Sequence, residues 1–214
     1  MKHYILEMEL LSETIFGSGE AIPGSVDSEI VYDEVGLPYL KGKTLKGVLR
    51  EEANNIVSLS NGYFENKDIE RIFGKVDNDE INKVAFSHCK VKDNISNLIE
   101  KAVTDRNSVI SKEDIFEAVT DIRYFTAINE KGIAKKGTLR ELRTINRGLV
   151  FTAKINILEE LSEKEEMLLA MAVSSLKHVG MMRNRGKGNI RCTLSINNKE
   201  INSYYIDKYM GEEP

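Results

Sequence analysis

From His3 to Leu11 apolar and polar residues alternate, with Tyr4, Leu6, Met8 and Leu10 on one side, and this period of two predicts a half-buried β-strand. A glycine-containing loop follows over 17–25, then a short strand near Glu29–Tyr32. The period then lengthens. Leu45, Val48, Leu49, Ala53 and Ile56 recur at steps of three and four, one apolar stripe on a helix over about 44–57. A shorter helix near Lys67–Phe73 stops at Gly74, a residue suited to the C′ position. Lys83–Val91 reads as a second core strand, and 96–119 as helical, with Ser111 and Asp114 at capping-box spacing.

From Asp121 to Gly148 the periodicity breaks into a turn-rich, basic stretch, which reads as a hairpin projecting from the core. Alternation returns at Leu149–Leu158, with Phe151, Ala153, Ile155 and Ile157 inward. Ser162 and Glu165 then form a capping box that opens a helix to about Lys177. A glycine-rich loop, Gly180–Asn189, leads into a last strand on which Ile190, Cys192, Leu194 and Ile196 alternate. The tail, 198–214, shows no clear period. The order β-α-β, a variable middle, then β-α-β is that of a split βαβ sheet, so the expected fold is α+β, a ferredoxin-like (RRM-like) palm with an inserted β-hairpin thumb. We expect a single domain over 1–214, with the palm at about 1–95 and 149–197 and the helical insertion and thumb at about 96–148. The open face of such a sheet is the surface that RNA-recognition domains use.

Composition narrows the class. The longest apolar run, Met167–Val173, is far short of the ~20 residues that cross a bilayer. Glu7 and Glu9 stand where an export signal would be apolar. Cys89 and Cys192 are isolated, which speaks against a zinc site or disulfide framework and for a cytoplasmic protein without membrane association. The net charge of −4 hides an asymmetry. Segments 41–50, 121–150 and 177–191 hold sixteen basic and three acidic residues, a net of +13 over 55 positions. The other 159 hold fourteen basic and thirty-one acidic, a net of −17. A basic surface on an acidic body suits a polyanionic partner, although solvated charge gives the same count.

Three stretches carry candidate chemistry. Gly17-Ser18-Gly19 to Gly24-Ser25-Val26-Asp27-Ser28 is a flexible loop ending in a carboxylate. Asp27 there suits a hydrated Mg²⁺ or a reacting hydroxyl, and equally a turn-capping role. Gly36-Leu37-Pro38-Tyr39-Leu40-Lys41-Gly42-Lys43-Thr44-Leu45-Lys46-Gly47, continuing to Arg50, runs a basic turn into a helix, where free N–H groups favour phosphate. It is not a nucleotide-hydrolysing P-loop, because Leu37 stands where G-x-x-x-x-G-K-[ST] needs its first glycine. Gly180 to Arg191, with Arg183, Arg185, Gly186, Lys187 and Gly188, is a cationic glycine loop. Of the histidines, His88 reads as a core or sheet-face residue, His178 as a cation beyond a helix end, and His3 as terminal.

Taken together, Gly24-Ser25-Val26-Asp27-Ser28, Gly36-Leu37-Pro38-Tyr39, Gly42-Lys43-Thr44-Leu45-Lys46-Gly47 and Arg71-Ile72-Phe73-Gly74 resemble the RAMP (repeat-associated mysterious protein) superfamily, specifically the backbone subunits of type III CRISPR effector complexes. Arg123-Tyr124-Phe125-Thr126-Ala127-Ile128-Asn129 and Gly132-Ile133-Ala134-Lys135 resemble that family's thumb hairpin, and the 180–190 loop its C-terminal glycine loop. The likeness runs from about residue 4 to 195. It departs at Lys41-Gly42-Lys43-Thr44, where Pro-Gly-Ser-Ser is usual, at Ile15-Phe16, where a His is common, at Ser87-His88 for Arg-Asp, and at Met181-Met182 for glycines.

The resemblance implies a subunit that stacks with copies of itself or related RAMP subunits along a guide RNA (crRNA), beside other type III effector subunits, and that cleaves bound target RNA as a metal-dependent endoribonuclease. Asp27 takes the position of the catalytic, metal-holding Asp, with Mg²⁺ or another divalent cation as cofactor. The RNA contacts fall to Lys41, Lys43, Lys46, Arg50, Arg123, Lys135, Lys136, Arg140, Arg183, Arg185, Gly186, Lys187 and Gly188, with Arg143 also expected to keep the thumb on the polyanion. Two other readings stand beside it: an architectural crRNA-binding subunit without catalysis, and a repeat-processing endoribonuclease that works through a His acid–base pair.

Overall fold

The computed structural model describes residues 3–19, 26–75, 83–105 and 109–212. Residues 20–25 of the first glycine loop, including Gly24 and Ser25, lie outside the described residues. The first strand, β1 (His3–Leu10), is central, with β7 (Val150–Ile157) on one side and β8 (Ile190–Ile196) on the other, both antiparallel. Leu6 lies between Ala153 and Leu194, so the inward faces of three strands coincide in register. Tyr4, Leu6, Met8 and Leu10 are all buried, as their alternation predicts.

Beyond β7 comes the predicted second strand, but it is split. β3 (Val84–Phe86) and β4 (Cys89–Val91) both pair with β7, and the register slips by one residue between them: Phe86 faces Ile155, whereas Lys90 faces Thr152. The extra residue is a bulge at Ser87-His88. β2 (Tyr39–Leu40) pairs with β4 at one edge, and β9 (Lys199–Glu200) with β8 at the other. The short strand expected near 29–32 is present only as isolated bridges, Gly17 to Ile30 and Tyr32 to Pro38.

One face of the sheet carries the helices α1 (Gly42–Leu59), α2 (Asn66–Phe73) and α5 (Glu163–Ser175). On α1 the stripe holds, with Leu45, Leu49 and Ala53 buried. α5 is buried nearly all round because it lies between the sheet and the other helices, and it ends at Ser175, two residues earlier than its pattern suggests. Both predicted capping boxes are present, Ser162/Glu165 on α5 and Ser111/Asp114 on α4 (Lys112–Val119). α3 (Asp93–Thr104) and α4 form the middle insertion and contain no buried residue.

The tail holds a helix that its pattern does not announce, α6 (Asn202–Glu212). Tertiary contacts fix it. Asn202 accepts from the Leu194 N–H at 2.5 Å and donates to Ala170 O and Ser174 Oγ, and the Tyr205 hydroxyl donates to Glu166 at 2.6 Å. Among the described residues no helix is long and apolar enough to cross a membrane.

The opposite face of the sheet is largely polar, with Tyr39 beside Lys90 at its β2 edge. Its β1 positions are His3, Ile5, Glu7 and Glu9, and the two carboxylates are matched by Lys92 at 2.6 Å and Arg191 at 3.2 Å. Lys90 and Lys154 stand exposed on the same face. A denser group of cations lies at the end of the sheet.

Candidate nucleic-acid interface

The predicted hairpin is a separate two-stranded sheet of β5 (Thr120–Phe125) and β6 (Arg140–Ile145). It stands where β1 ends. Thr14 bridges Ile145, and Ser28 bridges Leu142. The glycine loop 180–189 packs against the same place: the Met181 N–H donates to Ile15 O at 3.0 Å, and the Gly188 N–H to Glu13 O at 2.9 Å. Glycine is required at two points of that loop. Gly188 has φ +72°, and a Cβ there would sit 2.0 Å from Val179 O; Gly180 has φ +84°, and its Cβ would meet Ile15 O at 2.4 Å.

Between hairpin and loop lies a cleft of about 1070 Å³. Asp27, Ser28 and Arg140 line it on one side and Met181 and Arg185 on the other. It continues past Arg140, Arg185 and Arg183, then along Ile15, Gly17, Lys41 and Thr44 at the start of α1. Met181 walls all three sections. Its sulfur lies 3.7 Å from Ser28 Oγ and would meet a Cβ on Gly17 at 2.7 Å, so the methionine that replaces a glycine in the motif fills the junction of both loops. The track brings together Asp27, Lys41, Arg140, Arg183 and Arg185, residues from four segments of the chain.

Asp27 is exposed and firmly held. Its N–H donates to Glu141 O at 2.8 Å, and its Oδ2 accepts from the Glu141 N–H at 2.8 Å. Oδ1 has no partner among the described residues, where no three His, Cys, Asp or Glu side chains converge either. That donor set does not make a protein cage for a metal. It fits Mg²⁺ in the way the ion commonly binds, one carboxylate with phosphate oxygens and waters completing the shell.

Other predicted contacts sit elsewhere. Lys43, Lys46 and Arg50 fall on a different flank of α1 from Thr44 and Val48, which line the track, because each residue turns the helix by roughly 100°. Lys135 and Lys136 are exposed at the hairpin tip. Gly186 caps the 3-10 turn Arg183–Arg185 in the left-handed region. Arg123 and Lys187 do not face the track with free charge. Glu13 takes Arg123 Nε at 3.0 Å and also pairs with Lys187 Nζ. Arg143 is likewise withdrawn, half-buried, with Nε 3.1 Å from Glu29 and its guanidinium over the Phe116 ring. These pairs fasten the hairpin to the body, a role that composition does not reveal.

The Arg123 hydrogen bond, aided by Lys187, holds the Glu13 carboxyl below the usual glutamate range despite partial burial. A lowered folded-state value stabilises the linkage at pH above the ordinary glutamate pKa of about 4.3 and loses that contribution as pH falls through the folded value. Amide exchange in β5 is therefore expected to accelerate selectively between about pH 4.3 and lower pH, and Glu13→Gln is expected to show that faster exchange already at pH 7. Mass-detected hydrogen exchange tests both.

His88 is not a core residue. It is exposed in the bulge, and its Nδ1 accepts from the Gly42 N–H at 2.9 Å while its ring lies 5.2 Å from that of Tyr39. It supplies the cap that the N-cap residue Lys41 cannot.

A family model described as the RAMP superfamily matches residues 7–191. The chain belongs to the RAMP superfamily. Its fold is also that of chains in solved Cmr structures. A chain in the cryo-EM structure of the Type III-B Cmr-beta bound to cognate target RNA superposes with a TM-score of 0.64 at 11% identity, covering 91% of this chain and 97% of that one. A chain from the apo state of Type III-B Cmr-beta gives 0.65 at 12%, covering 92% and 98%. Oligomeric Cmr4 from Pyrococcus furiosus gives 0.52 at 15%, covering 92% and 99%. At these identities the likeness is one of fold, a mixed α+β architecture with antiparallel sheets. No curated protein matches the chain in sequence.

Proposed function

We propose that this RAMP protein is a crRNA-binding backbone subunit of a type III CRISPR interference complex, that it stacks with copies of itself or related subunits along the guide, and that it cleaves bound target RNA at Asp27. In this reading the main sheet with α1 and α5 is a ferredoxin-like palm and the β5–β6 hairpin is the thumb. One observation carries it: the family's carboxylate position, Asp27, opens into the same cleft as Arg140 and Arg185. The neighbours in Cmr complexes, one of them bound to target RNA, agree with an RNA partner.

The chemistry follows from the residues. A ribose 2′-hydroxyl attacks its neighbouring phosphate only when attacking and leaving oxygens are in line, and a stacked duplex holds them out of line. A hairpin whose tip exposes Ile128, Ile133 and Leu139 can unstack a base at a cost of a few kcal/mol. Arg183 and Lys41 then grip the backbone along the track, and Asp27, held by the Glu141 amide, presents Oδ1 to the phosphate. The Asp27 carboxylate would hold a divalent cation, which would supply Lewis-acid stabilisation of the developing charge.

Among the described residues no histidine lines the Asp27 cleft, which weighs against the His-based repeat-processing alternative. Incubation of the assembled complex with labelled target and with labelled precursor repeat, each with and without EDTA, tests the proposal. Cuts in target alone, abolished by EDTA, are expected. Metal-independent cuts in the repeat would favour the His reading, and binding without any cut the architectural one.

A further inference from the structure

We infer that Arg140 is a second catalytic group, whose guanidinium neutralises charge building on the non-bridging oxygens of the phosphate that is cut. The inference rests on the reading of Asp27 above and extends it from backbone binding to the chemical step. Arg140 opens β6 opposite Phe125. Strand alternation sends Phe125, Arg140 and Leu142 to the cleft side of the hairpin, where all three line the space shared with Asp27. Glu141 and Arg143 point the other way, Arg143 to Glu29 and Phe116.

Two features separate Arg140 from an ordinary surface cation. The first is position. The residue next to it in the chain, Glu141, holds Asp27 through two main-chain contacts of 2.8 Å. One rigid strand therefore sets both the carboxylate and the guanidinium. The second is charge. Arg123 and Arg143, the other arginines of the hairpin strands, are matched by Glu13, Asp121 and Glu29. Arg140 has no carboxylate within ion-pair distance among the described residues, so its charge is directed at whatever enters the cleft.

The step balances without a redox partner. The 2′-hydroxyl oxygen forms a bond to phosphorus and its proton passes to solvent. The P–O5′ bond breaks, the 5′ oxygen takes a proton from water, and a 2′,3′-cyclic phosphate remains. Negative charge on the equatorial oxygens rises on the way to the pentacoordinate state. A planar guanidinium fork fits two such oxygens and needs no reorganisation. A cation that bound substrate and transition state equally would alter affinity alone. The distinguishing readout is therefore the rate at saturating target.

In the assembled complex, Arg140→Gln is expected to lower the single-turnover cleavage rate at saturation by about 100-fold, to change target affinity by less than about fivefold, and to regain roughly tenfold in rate as Arg140→Lys. Arg140→Ala is measured beside it, so that one truncation that impairs assembly does not decide the result. A truncated complex that cuts at the wild-type rate once saturated overturns the inference, whatever its affinity. Full cleavage by an Asp27→Asn complex overturns the underlying reading instead, and the two failures are distinguishable because each variant is assayed alone.

Discussion

Complexes carrying Asp27→Ala are expected to assemble, bind target RNA, and leave it intact. The expected loss is about 10³-fold or more in the single-turnover rate, some 4 kcal/mol of barrier. The prediction separates function from folding because Asp27 is exposed and, among the described residues, its side chain makes one hydrogen bond, to the Glu141 amide. Loss of such a bond at the surface costs about 1 kcal/mol or less. Asp27→Asn sharpens the test. The amide oxygen still accepts from Glu141, so the loop keeps its path, but the anionic oxygen that faces the cleft is gone. Equal inactivity of both variants would tie catalysis to the negative charge. Activity in the Asn variant would reduce Asp27 to a positioning role, and cleavage at full rate by both would remove the carboxylate from the mechanism.

The route to Asp27 illustrates which layers of structure are legible in a sequence. Strand β1, helix α1 and strand β7 are read directly, because a core face imposes a period of two or 3.6 on residues such as Leu6, Leu49 and Phe151. The caps of α4 and α5 are read because Ser111/Asp114 and Ser162/Glu165 are local chemistry. Failures begin where a residue's partner is remote in sequence. His88 caps a helix that starts 46 residues earlier, and its insertion as a bulge breaks a strand whose hydrophobic pattern looks continuous. Arg123 and Lys187 are expected as RNA contacts from the basic segments and the family resemblance, whereas Glu13, 110 and 174 residues away, pairs with both. α6 escapes notice because its buried positions are Asn202, Tyr205 and Tyr209, polar or amphipathic residues fixed by Leu194 and by Ala170, Glu166, Tyr63 and Phe64 far away in the chain. The charge asymmetry of the chain points to three segments, and the fold brings Lys41, Arg140, Arg183 and Arg185 from them to one track, but which cations face one another is a property of the fold.

The same remoteness governs the largest stability effect expected. Glu165 begins as a local feature, the N3 residue of the α5 capping box, accepting from the Ser162 N–H at 2.7 Å. Folding buries it completely and brings two cations to it from the segment after α1. Lys83 Nζ stands 3.5 Å from Oε2, and Arg71 Nε 3.0 Å from Oε1 without hydrogen-bond alignment. Lys83 is itself buried, with one further acceptor among the described residues, the Glu160 carbonyl at 3.0 Å. Removing the carboxylate thus strands a buried ammonium, and Glu165→Ala is expected to cost about 3–5 kcal/mol. Urea unfolding should show a lower midpoint at unchanged slope. Glu165→Gln keeps an acceptor for the Ser162 amide but still strands Lys83, so it is expected to recover only the cap, about 1 kcal/mol. Pairing Glu165→Gln with Lys83→Met removes the stranded charge, and the double variant is expected to be more stable than Glu165→Gln alone. Strictly additive losses would mean that the buried ions do not interact, and the cost would then belong to the α5 cap.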